Sequence, residues 1–80
     1  MEPRGKVSPE AQFGNEIAKL RKKVGISQEE LGFRAGVHRT YISQLERGIK
    51  SPTLSVILRL AYAMKIRPSK LVATLDKRSD

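Results

Sequence analysis

Three glycines, Gly25, Gly36 and Gly48, constrain this chain more than any other feature. Each follows a stretch with apolar residues at helical spacing, and each ends it. Glycine enters the left-handed backbone conformation that closes a helix at no steric cost. The stretch after Gly25 begins Ser27-Gln28-Glu29-Glu30, a capping box. Ser27 can accept from the backbone three residues on, and the Glu30 carboxylate can reach back. Leu31 and Ala35 give this helix an apolar edge. The stretch after Gly36 predicts a helix over about Arg39–Arg47, with Ile42 and Leu45 facing inward.

The flanks also read as helices. Ser8-Pro9-Glu10 is a helix start: a capping hydroxyl, a proline at the first helical position, and an acid at the positive end of the dipole. Phe13, Ile17, Leu20 and Val24 follow at helical spacing. Ser51-Pro52-Thr53 marks a loop and a cap. From Leu54 to about Met64 the chain is apolar on most sides, interrupted by Ser55, Arg59 and Tyr62. A helix apolar all round is expected to be buried, and so short a chain can hardly surround it unaided. Part of that surface is expected to meet a second subunit. Pro68 opens a last short helix carrying Leu71, Val72 and Leu75. The fold expected is therefore all-α, compact and five-helical. Residues 1–8 read as a flexible arm, 9–76 as the domain and 77–80 as a polar tail.

Composition narrows the partners. Eighty residues make one domain with a small core, and the absence of cysteine removes disulfides and thiol metal sites. No apolar run approaches the roughly 18 residues needed to span a bilayer. The first residues lack a hydrophobic signal core, so a cytoplasmic protein is expected, with no membrane partner. Sixteen basic residues against eight acidic ones give net +8. A small domain so basic suggests a polyanionic partner, most often nucleic acid. A solvated basic surface is the alternative.

Catalysis has no support. Glu29 and Glu30 are neighbours on a helix and point in different directions, no nucleophile constellation or phosphate-cradling loop is present, and His38 lacks companions at ligand spacing. No metal, cofactor or small-molecule ligand is expected.

The two central helices, about residues 28–47, are joined by Gly36-Val37-His38. A turn of that length with a glycine is the mark of a helix-turn-helix. It forces the second helix across the first and leaves it protruding, where it can enter a major groove about 12 Å wide.

The string "LRKKVGISQEELGFRAGVHRTYISQLERGIKSPTLSVILRLAYAM" resembles the Cro/repressor-type helix-turn-helix regulators, over roughly residues 14–75. The residues that carry the likeness are Leu20-Arg21, Ser27-Gln28, Leu31, Gly36-Val37, Ile42-Ser43, Leu45-Glu46-Arg47-Gly48, Pro52 and Leu60-Ala61. The short length and "RTYISQLERG" look most like the controller proteins of restriction–modification systems. The resemblance implies a lambda-repressor-like DNA-binding domain and a homodimeric, sequence-specific transcriptional regulator on a roughly palindromic operator. If it extends to the controllers, the chain would regulate its own promoter and a neighbouring endonuclease gene.

The resemblance also implies roles. Arg39, Thr40, Ser43 and Gln44 would reach base edges. Arg can fork onto guanine, Gln can pair with adenine, and Thr can bond or pack on the thymine methyl. Gln28, His38, Tyr41, Arg47, Lys50 and Ser51 would contact or position the backbone. Arg21 and Glu46 would pair structurally across the domain. Met64, Ile66, Leu71, Val72 and Leu75 would form the dimer surface. His38 departs from the pattern, which keeps a small capping residue there, so the third helix is expected to begin less tightly. The rival readings are an antitoxin whose C-terminal surface docks a toxin, and an adaptor that binds DNA without reading bases.

Overall fold

Ser8 caps the first helix with its hydroxyl, which accepts from the Ala11 backbone N–H at 3.0 Å. That helix, α1, runs Pro9–Val24 and ends at Gly25, whose φ is +88°. Three further helices follow in short order: α2 (Gln28–Ala35), α3 (Arg39–Glu46) and α4 (Leu54–Met64). Pro68 opens α5 (Pro68–Val72), which runs on into a 3-10 turn, Ala73–Asp76. This computed structural model describes residues 8–76, and no strand occurs among them. The arm and tail read at 1–8 and 77–80 lie outside the described residues, Ser8 apart.

The caps explain the boundaries. Ser27 Oγ accepts from Glu30 N at 3.0 Å, and Thr53 Oγ1 accepts from Val56 N at 3.2 Å. Each satisfies a backbone donor that the helix leaves without a partner. Only half of the expected capping box forms. Glu30 turns forward along α2 and pairs with Arg34 at 2.8 Å, four residues on, instead of reaching back to Ser27. Charge attraction along the helix wins there. At the other end of α3, Gly48 takes a φ of +75°. The α4 helix closes without glycine. Lys65 itself adopts the left-handed conformation, φ 58° and ψ 44°, and its N–H bonds back to Ala61 and Tyr62.

The core is a single cluster drawn from every helix. Ile17, Leu31, Ile42, Leu45, Leu60 and Leu71 are its fully buried large side chains. Each contributes about 1.5–3 kcal/mol relative to an exposed position. Helices as short as α2 and α3, eight residues each, are unstable alone and depend on this packing.

Two glycines inside helices let the backbones meet. At Gly14 a Cβ would run into the Leu45 and Glu46 carbonyl oxygens of α3. At Gly32 it would stand 2.7 Å from the Val37 carbonyl oxygen, inside the turn between α2 and α3. The α3 helix is thus held closely by α1 on one side and by α2 on another.

The chain surrounds the fourth helix only in part. Leu60, Ala61, Ala63 and Met64 enter the core, but Leu54, Leu58 and Tyr62 lie in the open at 73, 50 and 87% exposure. These three recur every four residues, so they form one stripe along α4. Of the expected dimer surface, Met64 and Leu71 are 4 and 0% exposed and pack within the core of the monomer. Ile66 and Val72 are half-buried and Leu75 is exposed.

Candidate nucleic-acid interface

The turn Gly36-Val37-His38 separates α2 from α3. Gly36, with φ +75°, donates back to Gly32 and Phe33, and Val37 N donates to the Gly32 carbonyl at 2.9 Å. This closed turn swings the chain sharply, so that α3 crosses α2 and projects from the body.

Helical phase then divides α3 into two faces. Ile42 and Leu45 point into the core, and Tyr41 packs half-buried against it. Thr40, Ser43, Gln44 and Arg47 are spaced i, i+3, i+4 and i+7, which places them along one outward stripe. Thr40 and Arg47 are exposed, Ser43 and Gln44 partly so. Past Arg47 the chain folds back on the helix end, where Ile49 N and Lys50 N both donate to the Gln44 carbonyl, at 2.9 and 3.4 Å. Lys50 and Ser51 follow, both exposed. Among the expected contact residues of α3, Tyr41 packs chiefly inward.

Arg39 stands at the edge of the stripe. Its Nη1 is 3.3 Å from Glu29 Oε1, on the first turn of α2. Both side chains are well exposed, at 62 and 73%. This partner was not visible in the sequence, because the two residues are brought together only by the crossing of α2 and α3.

The pose of α3 rests on Glu46. Arg21 reaches from α1 and forks onto it, Nε to Oε2 at 2.6 Å and Nη2 to Oε1 at 3.1 Å. Arg21 Nη1 also donates to the Ile26 carbonyl at 2.9 Å. The two side chains are 12 and 7% exposed. A fork of this kind fixes orientation as well as distance. Gln28, at the start of α2, donates from Nε2 to Glu46 Oε1 at 2.9 Å. One carboxylate therefore ties α1, α2 and α3 together.

The expected loose start of α3 is corrected. The His38 backbone is extended, with ψ 146°, and its Nδ1 accepts from Thr40 N at 3.0 Å. Imidazole nitrogen is an acceptor of the same kind as a capping oxygen, so the donor of the first turn is satisfied after all. Capping preferences rank the common caps and leave histidine out, which is why the residue type alone misled.

The described residues contain no group of three or more His, Asp or Glu arranged to hold a metal ion, and no helix long and apolar enough to cross a membrane. A protruding helix with a polar outward stripe, braced from behind and set in a basic chain, defines a helix-turn-helix DNA-binding domain.

Comparison with known proteins agrees. The family model "Helix-turn-helix" matches residues 17–71, and the chain belongs to that family of DNA-binding transcriptional regulators. It is 38% identical over 61 residues to control protein C.BamHI of Bacillus amyloliquefaciens, covering 75% of each chain. Among solved structures it resembles the restriction–modification controller C.AhdI of Aeromonas hydrophila, with a TM-score of 0.76 and 40% identity over 78% of this chain and 94% of that one. It also resembles the P22 c2 repressor in complex with a synthetic operator, with a TM-score of 0.72 and 35% identity over 78% and 94% of the two chains. The lambda-repressor-like fold expected from the sequence is therefore the fold observed, and the chain is a DNA-binding regulator.

Proposed function

We propose that two copies of this chain bind a roughly palindromic operator as a homodimer and control a restriction–modification operon. Each copy lays α3 in the major groove. The two grooves lie on one side of the duplex, about 34 Å or one helical turn apart. Arg39, Thr40, Ser43 and Gln44 read base edges. Gln28, His38, Tyr41, Arg47, Lys50 and Ser51 hold the backbone.

The observation that carries the reading is the separation of the two faces of α3. Its inner face is fixed by the core and by the Arg21–Glu46 fork. Its outer stripe makes no side-chain bond within the protein among the described residues, so those donors and acceptors remain free for a ligand. Base contacts specify and backbone contacts position, and the residue types on the stripe suit the first task. The likeness to C.BamHI and C.AhdI supports the restriction–modification role. No finding favours the antitoxin alternative.

For the dimer surface, burial leaves Ile66, Val72 and Leu75 from the expected set and adds the α4 stripe Leu54, Leu58 and Tyr62. Solvent-exposed apolar side chains aligned along one helix are what a partner helix covers.

Selection of binding sites from a random duplex pool tests the reading. A symmetric consensus with half-sites one turn apart is expected. An asymmetric motif would remove the homodimer, and no enrichment would remove base readout. Placing a reporter behind the selected site then tests control of transcription.

A further inference from the structure

His38 has two nitrogens, and only one is used inside the protein. Nδ1 accepts from Thr40 N and closes the start of α3. A neutral imidazole that accepts at one nitrogen carries its hydrogen on the other. The cap therefore selects the tautomer with hydrogen on Nε2. Nε2 lies across the ring from Nδ1, so this donor points away from the helix that Nδ1 caps. The residue is exposed, and no described group accepts from Nε2.

We infer that His38 is a double-ended positioning residue, in which Nδ1 caps the reading helix and Nε2–H donates to a DNA phosphate oxygen. The inference rests on the proposed DNA-binding mode and deepens it. The partner is a phosphate because of where the residue stands. His38 precedes the first turn of α3 and lies off the stripe Thr40, Ser43, Gln44 and Arg47. Off the stripe that reads bases, the acceptors a duplex presents are those of the sugar–phosphate backbone. The cap and the contact also support each other. Holding Nδ1 on Thr40 N orients the ring, so the donor is set in place before DNA arrives. A lysine would give the contact without the cap.

Chemical synthesis separates the two ends, since the chain is short enough to assemble with an Nε2-methylhistidine at position 38. That residue keeps the Nδ1 acceptor and removes the Nε2–H. In mildly alkaline buffer the methylated chain is expected to melt with the wild type. It should bind duplex about 2- to 10-fold more weakly, as the loss of one hydrogen bond implies. The loss should be equal on the selected operator and on random duplex, because phosphate carries no sequence. Undiminished binding by the methylated chain would overturn the contact. A loss confined to the operator would overturn the phosphate and point to a base. Nitrogen NMR of the ring in the free protein checks the tautomer without DNA: a hydrogen on Nδ1 would overturn the inference outright. If Arg39→Ala and Gln44→Ala were also without effect on binding, the groove-binding mode itself would be at fault, and not His38.

Discussion

Gln28 and Arg21 bond the same oxygen of Glu46. Gln28 Nε2 donates to Oε1 at 2.9 Å, and Arg21 Nη2 donates to it at 3.1 Å. The residue at the start of α2 is thereby engaged before DNA is present. Its second amide hydrogen is what it has left to offer a phosphate. In the proposed binding mode, bracing α3 and touching the backbone are thus two tasks of one amide group.

Glu46→Gln is expected to lower stability by about 3 kcal/mol, toward the lower end for a broken buried pair because the site is only partly closed to water. The Arg21 guanidinium would lose its counter-charge where it is 12% exposed. DNA affinity should fall too, because α3 would no longer be held in pose. A denaturant titration and a binding titration measure the two. An unchanged midpoint together with unchanged affinity would remove Glu46 from this role.

Gly14→Ala adds a single methyl, yet it should destabilise by about 1–3 kcal/mol, the usual cost of overpacking. The atoms it meets are carbonyl oxygens of α3, which cannot swing aside as a side chain would. Thermal melting measures the effect. A neutral result would mean that α1 and α3 can separate freely.

Removing the Glu29 carboxylate should act on binding and scarcely on folding. Its pair with Arg39 is exposed, so Glu29→Gln is expected to change stability by less than about 0.5 kcal/mol. It takes one negative charge from the DNA-facing end of α2 and frees the Arg39 guanidinium. Affinity should rise on operator and random duplex alike, with a steeper fall on adding salt. Titrations at several salt concentrations check this, and weaker binding would mean that Glu29 helps to aim Arg39.

Leu58→Glu places a charge in the middle of the α4 stripe, where leucine is 50% exposed. The monomer should melt as before, since the core does not use this position. Two such charges facing each other should break the dimer. Sedimentation is expected to show monomers at concentrations where the wild type is dimeric, and binding to the palindrome should weaken with it. A dimer that survives would move the interface to Ile66, Val72 and Leu75.

Much of this structure is legible in the chain because it is written in local chemistry. Ser8, Ser27 and Thr53 announce helix starts, and Gly25 and Gly36 announce ends. What stayed hidden depends on crossings between helices. Gly14 and Gly32 look like weak points in a helix, and only the approach of α3 gives them a purpose. Glu29 meets Arg39 across the turn, at a separation no helical period suggests. Met64 and Leu71 have the composition of an interface, but burial assigns them to the core. Lys65 closes α4 in a conformation that a search for glycine passes over.

The two faces of α3 also bear on how such a protein diversifies. Ile42, Leu45 and Glu46 answer to the fold, while Thr40, Ser43, Gln44 and Arg47 face outward and make no side-chain bond among the described residues. The two sets interleave along eight residues without sharing a member. In the proposed binding mode, exchanging the outer letters would therefore change the operator while the scaffold stays fixed, so that control circuits sharing this fold could differ in address without ceasing to fold.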